Sequence, residues 1–418
     1  MLAIKRPSRL WKRFGLFLAI LGPGIITSIA DNDAGGIATY SIVGADFGYG
    51  LLWIFFLISA VMIIVQEMSA RMGAVTGKGL ADLIREQYGL GWTVLVMGVL
   101  LTANMAVTVS EFAGIAASGE IFGISRVLFV PLIALIIWLL VVKVPSYKVV
   151  ERIFLLICGV SLMYIIAGWL ARPDWNEVSR HLAHPLLRMD YKYIFTAIAL
   201  IGTTITPWMQ FYLQASIVDK GITMRNYFYV RMDVVLGSVL SGNIALFIII
   251  TCAATLFPKG IHITSAREAA MALIPLAGNF SHYLFSIGLF ASSVIGAFIL
   301  PLSTAYAFCE AFGFERGVSR DFESAPIFFS VYTLMIVLGA GIIMWPNLPL
   351  FLVMFIAQNV NGILLPIILI FMMMLINNKQ VMGKYVNGPI YNLIMTVTIV
   401  AIIGFTLALL GLSPLGAG

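Results

Sequence analysis

Asp31 and Asp33 stand two residues apart inside an apolar stretch, with Gly22-Pro23-Gly24 before them and Ala34-Gly35-Gly36 after. Carboxylates at hydrocarbon depth are costly and mark ion paths or binding sites. A second stretch, Ile201-Gly202-Thr203-Thr204-Ile205-Thr206-Pro207-Trp208-Met209-Gln210, carries three hydroxyls and a proline. Pro207 has no N–H to donate, so a carbonyl upstream loses its helical partner. Carboxylate, hydroxyl and freed carbonyl oxygens are the ligands of a hard cation. Asp33 is read as the main ligand. Asp31 is either a second ligand or the cap of a helix end. Thr203 and Thr206, three apart, share a helix face and join the site, whereas Thr204 is expected to bond back to the preceding turn. On a continuous helix the two aspartates would point to different faces. The chain is therefore expected to unwind over Asp33-Ala34-Gly35-Gly36, freeing carbonyls for the ion, that of Ala34 among them.

Other polar groups fall inside apolar runs. Glu111 lies within Thr108-Val109-Ser110-Glu111-Phe112-Ala113-Gly114, and Gln358, Asn359 and Asn361 lie within a later run. Glu111 and Gln358 are assigned to the site; Glu310, near the end of its run, is expected to reach solvent. Neither break carries cysteine or histidine, and the one sulfur nearby is that of Met209, beyond the proline. An all-oxygen set favours magnesium, calcium or manganese over softer metals. The small residues leave room, which suits magnesium, an ion that keeps several of its waters.

These groups need a frame. The chain of 418 residues is 61% hydrophobic and 11% charged, with a mean hydropathy of +1.01. A soluble domain carries about 25% charged residues. The expected fold is therefore all-α and polytopic, a single transmembrane domain over 1–418. A span needs about 20 apolar residues. Candidate spans are 15–46, 50–73, 92–122, 127–143, 149–171, 191–218, 230–256, 280–312, 326–345, 349–376 and 388–412. The breaks fall in the first and sixth of these. Five crossings between corresponding spans invert the second half, so repeat one covers about 15–171, repeat two about 191–376, and 388–412 is an added helix. Paired broken helices in inverted repeats mark a midplane ion site.

The basic residues sort by side. With the N-terminus inside, 18 of the 25 lysines and arginines fall in inner connections and 7 in outer ones, which sets a cytoplasmic N-terminus and an extracytoplasmic C-terminus. The basic start Lys5, Arg6, Arg9, Lys12 and Arg13 precedes a span read as retained, since no small-residue cleavage site follows. A net charge of +6 spread over short connections does not call for nucleic acid. Cys158, Cys252 and Cys309 lack metal spacing and read as packing residues. His181, His184, His262 and His282, in or near the connections 172–190 and 257–279, read as solvated side chains.

The combination resembles the natural resistance-associated macrophage protein (Nramp) family of divalent metal transporters. Further matches are the run Gln66-Glu67-Met68-Ser69-Ala70-Arg71-Met72-Gly73-Ala74-Val75-Thr76-Gly77-Lys78-Gly79-Leu80-Ala81, the run Asn377-Asn378-Lys379-Gln380-Val381-Met382-Gly383, Gly288-Leu289-Phe290-Ala291, and Pro366. The departures are informative. The family's Asp-Pro-Gly-Asn reads Asp33-Ala34-Gly35-Gly36, so an amide ligand is missing at Gly36. Its Met-Pro-His reads Thr206-Pro207-Trp208, so a thioether ligand becomes a hydroxyl and a proton-linked histidine becomes Trp208. Its helix-3 aspartate becomes Thr108 and an alanine becomes Thr203, while its glutamate is kept as Glu111. This pattern is similar to the family's magnesium-transporting branch. The resemblance implies a leucine-transporter-like fold of about eleven helices, a site near Asp33, magnesium and manganese as substrates, and no proton coupling.

The expectation is a monomeric plasma-membrane carrier without a resident cofactor, moving magnesium by alternating access as a uniporter. The rivals are a proton-coupled manganese or iron carrier and a sodium-coupled organic-solute carrier of the same fold. Two aspartates at the break repel the anionic or zwitterionic substrate of the latter. No catalytic set of residues argues for an enzyme.

Overall fold

The structure is a computed structural model describing residues 27–28, 31–143, 162–185, 187–318, 320 and 322–412. Its longer helices are α1 (Ala34–Phe47), α2 (Leu52–Thr76), α3 (Leu80–Ile121), α4 (Arg126–Lys143), α5 (Met163–Leu170), α6 (Trp175–Ala183), α7 (Tyr191–Thr204), α8 (Pro207–Asp219), α9 (Tyr227–Thr255), α10 (Ser281–Phe312), α11 (Pro326–Ile343), α12 (Leu350–Asn377) and α13 (Pro389–Leu412). Among the described residues, nine helical stretches are long and apolar enough to cross a membrane. They match nine of the eleven expected spans. The spans expected at 15–46 and 149–171 are described only in their later parts, through α1 and α5. The basic start and Cys158 lie outside the described residues.

Some expectations need correction. The third span, expected from 92, belongs to a helix that begins at Leu80 and kinks at Gly89, where φ is 78°. Only glycine takes that conformation without steric cost. The connection 172–190 is not merely loop, because α6 forms in it with Asp174 as its cap. Glu310, expected to reach solvent, is buried. Its carboxyl sits over Gly79, with Oε1 3.3 Å from Arg316. Arg316, from the following loop, faces the carboxyl where solvent was expected. His262 remains largely exposed, yet it and Lys192 both contact the Asp46 carboxylate, at 2.7 and 2.9 Å.

Lipid tails offer no hydrophobic drive between helices, so backbones must approach closely through small residues. Gly202 of α7 faces the Gln358 carbonyl and the Gly362 backbone of α12, and Gly362 faces the Ile198 carbonyl of α7; a methyl at either would overlap the opposing backbone. This crossing brings Thr203 and Gln358 together from positions 155 residues apart. The α7–α8 pair lies at the centre, with 94% of its apolar stretch buried, against 17% for α13 and 22% for α4 at the periphery.

Candidate cation site at the two helix breaks

The first break lies earlier than the expected unwinding. Among the described residues it is Asp31-Asn32-Asp33, and Ala34, Gly35 and Gly36 form the first turn of α1. The reason is capping. Asp33 is extended (φ −75°, ψ −177°), and its Oδ1 accepts from the Gly36 N–H at 2.6 Å. A carboxylate there satisfies a donor that a helix start leaves open and faces the positive end of its dipole. Asp33, not Asp31, is thus the cap. Only one of its oxygens is used, since Oδ2 is buried without a donor.

The second break follows from Pro207. Residues before proline avoid the helical region. Ile205 (φ −126°, ψ 85°) and Thr206 (φ −80°, ψ 142°) are accordingly extended, and Pro207 opens α8 at a position where its missing N–H costs nothing. Thr206 stands at the cap position of α8 but makes no capping bond. Its hydroxyl instead donates to Asp31 Oδ1 at 3.2 Å. Thr203 and Thr206 therefore do not share a helix face, because the chain leaves the helix between them. Thr204 bonds back to the Leu200 carbonyl at 2.8 Å, as expected. Thr203 Oγ1 is buried without a partner.

The two breaks converge above Gly36. A methyl built on Gly36 would lie 3.2 Å from the Asp31 carbonyl, 3.2 Å from Thr203 Oγ1 and 3.3 Å from Asp33 Oδ1. These three oxygens are the nearest atoms to that point. Glu111 approaches from α3, where its Oε2 accepts from the Ala34 N–H at 3.3 Å. Its carboxyl lies over Gly296 of α10. Gln358 reaches in from α12, with Nε2 3.5 Å from Asp33 Oδ1. None of Asp31, Asp33, Ala34, Glu111, Thr203, Thr206 or Gln358 is more than 1% exposed. Six of these seven bring side chains together here. Ala34 contributes its N–H to Glu111. Asn359 bonds back to the Phe355 carbonyl within its own helix, at 3.2 Å.

Three carboxyl groups enclosed in protein need their charge offset, by protons or by a cation. Among the described residues, no three His, Cys, Asp or Glu side chains converge as a metal cage. A cation here would draw on one or two carboxylates and complete its shell with hydroxyl, carbonyl and water oxygens. That is the oxygen shell of a hard divalent cation.

Sequence reasoning missed several partners. Asn32, between the aspartates, donates to Ser241 Oγ of α9 at 2.9 Å and anchors the first break to that helix. Tyr40 pairs its hydroxyl with Thr204 Oγ1 at 3.3 Å. Ser110 Oγ faces the same small space over Gly35 as the Gln358 amide. Asn32 and Ser110 adjoin residues already singled out, and that adjacency was their signal. Tyr40 carried none.

Comparisons with known proteins agree with this architecture. The family model described as natural resistance-associated macrophage protein-like matches residues 24–412. The divalent metal cation transporter MntH of Caldanaerobacter subterraneus subsp. tengcongensis is 26% identical over 386 residues, covering 90% of this chain and 88% of that protein. The crystal structure of the Eremococcus coleocola manganese transporter in complex with an aromatic bis-isothiourea substituted compound superposes with a TM-score of 0.78 at 18% identity, over 98% of this chain and 88% of that one. MhsT in complex with L-phenylalanine has the same kind of fold at a TM-score of 0.58 and 15% identity, over 95% of this chain and 98% of that one.

Proposed function

As a member of the Nramp family, the chain is a multi-pass membrane transporter of divalent metal, and we propose that magnesium is its principal cargo, with manganese also carried. The observation that carries this reading is that the three atoms facing the point above Gly36 from the two breaks are all oxygens. Oxygen ligands favour magnesium and manganese; a thioether would favour softer ions. In this reading Asp33 is the main ligand, and its Oδ1 faces this space. Asp31, Thr203, Thr206, Glu111 and Gln358 line the hydrated ion's shell, and backbone carbonyls complete it.

Transport proceeds by alternating access around the buried site. The two halves, about 15–171 and 191–376, rock as inverted repeats, with 388–412 outside them. The carrier works as a monomer in the plasma membrane, with its N-terminus cytoplasmic and its C-terminus outside. It works as a uniporter, because Thr108 and Trp208 supply no titrating group at the two positions where the family resemblance expects one. The membrane potential supplies the drive, about 2.3 kcal/mol per charge per 100 mV. A sodium-coupled carrier of organic anions fits less well, since Asp33 already occupies the positive end of α1.

The test is uptake into proteoliposomes with magnesium, manganese and calcium, with a pH-sensitive dye trapped inside. Magnesium uptake that follows an imposed potential without acidification is the expected result. Metal-dependent acidification abolished by Glu111→Gln would refute the uniporter. Manganese uptake without magnesium uptake would refute the cargo.

A further inference from the structure

Gln358 faces its site with the wrong end for a cation. Its Nε2 points at Asp33 Oδ1, 3.5 Å away, while its Oε1 accepts from Asn361 Nδ2 at 2.8 Å. Asn361 is three residues on along α12, so both side chains lie on one face of that helix. Gln358 and Asn361 are fully buried. Asn361 Oδ1 has no partner, and neither has Asp33 Oδ2. The Gln358 amide fits where it does because Gly35 carries no side chain, since a methyl there would overlap Nε2.

We infer that Asn361 is a positioning residue that sets which end of the Gln358 amide faces the ion, and that the two amides turn together when the ion arrives. This rests on the site reading given above. Without a cation, the Gln358 NH2 donates to the Asp33 carboxylate and Asn361 holds the opposite oxygen. With a cation at Asp33, an NH2 at that point repels it, and an oxygen is needed. Half a turn about the terminal torsion of Gln358 exchanges the two, and such torsions are broad and roughly two-fold. Nε2 then faces Asn361, whose own amide turns to present the Oδ1 that is now unused. The bond between the amides survives with its direction reversed, because each amide carries both donor and acceptor. The pair thus has two arrangements with one mutual bond in each. The ion biases them because it interacts differently with the two.

The experiment measures magnesium uptake in proteoliposomes for the full chain and for Asn361→Leu, Asn361→Ala, Asn361→Ser, Gln358→Leu and the Gln358→Leu/Asn361→Ala pair. Asn361→Leu and Asn361→Ala are expected to raise KM roughly five- to tenfold while leaving the maximal rate per folded carrier within about twofold. Asn361→Ser should restore the KM, since a hydroxyl both donates and accepts. In the Gln358→Leu background, Asn361→Ala should add nothing. Asn361→Ala is small enough to carry the measurement if the leucine variant does not fold. A wild-type KM in Asn361→Ala, or an equal effect of that change with and without Gln358, overturns the inference. Asp33→Ala separates the two levels of the argument. If it is inactive while the Asn361 variants keep the wild-type KM, only the amide relay falls. If it transports normally, the site reading falls and takes the relay with it.

Discussion

Replacing Gly36 by alanine tests whether the ion uses the space between the breaks. The added methyl would sit 3.2 Å from the Asp31 carbonyl and Thr203 Oγ1 and 3.3 Å from Asp33 Oδ1. These contacts are tight, and the neighbours must give by a few tenths of an ångström. Against that, alanine in a helix is more stable than glycine by about 0.5–1 kcal/mol. Gly36 lies in the first turn of α1, so the two effects oppose and the protein should fold. The ion meets a different balance. A methyl fills about the 30 Å³ share of a water molecule and offers no lone pair. Losing one contact to a charged group costs about 1.5–3 kcal/mol, and about 1.4 kcal/mol corresponds to tenfold in affinity. The KM for magnesium should therefore rise at least about tenfold, with the melting temperature in detergent close to wild type. Concentration-dependent uptake into proteoliposomes reads the first quantity and a thermal shift the second. Wild-type KM in a normally melting Gly36→Ala protein would show that no ion passes there.

Three further outcomes follow from the same geometry. Asp33→Ala should abolish uptake and lower stability by about 0.5–2 kcal/mol through the lost cap of α1; transport at the wild-type rate would remove Asp33 from the site. Thr206→Met should raise cadmium and manganese uptake relative to magnesium, because a thioether prefers softer ions and the hydrogen bond to Asp31 goes with the hydroxyl. Competition assays giving an unchanged ratio would mean that residue 206 does not face the ion. Gly202→Ala presses a methyl onto the α12 backbone, and overpacking of that kind costs about 1–3 kcal/mol. A melting temperature equal to wild type would show that α7 and α12 lie further apart.

The parts of this site that the chain spells out are those with a local cause. Pro207 must end one helix and may open another, so the second break was legible from one residue. Asp33 was legible as a polar group at depth. Its capping was not, because a carboxylate ahead of Gly35-Gly36 serves an unwound segment as well as a helix start. The choice is made by the Gly36 N–H at 2.6 Å. Thr203 and Thr206 were assigned to the site for a reason that does not hold, since Ile205 leaves the helix between them. They reach it because the break turns both toward α1. The spacing of Gln358 and Asn361 puts them on one face, but a spacing carries no bond direction. Gly202 and Gly362 look like ordinary membrane glycines until the two helices are seen to cross at them.

The central position of α7 and α8 bears on how the protein is made. The stretch Tyr191–Asp219 is the least apolar of the nine, yet it ends as the most enclosed. A nascent segment partitions into the bilayer according to its own apolarity, and here Thr203, Thr204, Thr206 and Pro207 weaken that drive. Its neighbour α9 is more apolar and enters more readily. The enclosure of this stretch comes instead from α2, α3, α10 and α12, which pack around it, so its place in the membrane depends on its partners more than on its own apolarity. The polar residues proposed to face the ion are the same ones that make this stretch rely on its neighbours for burial.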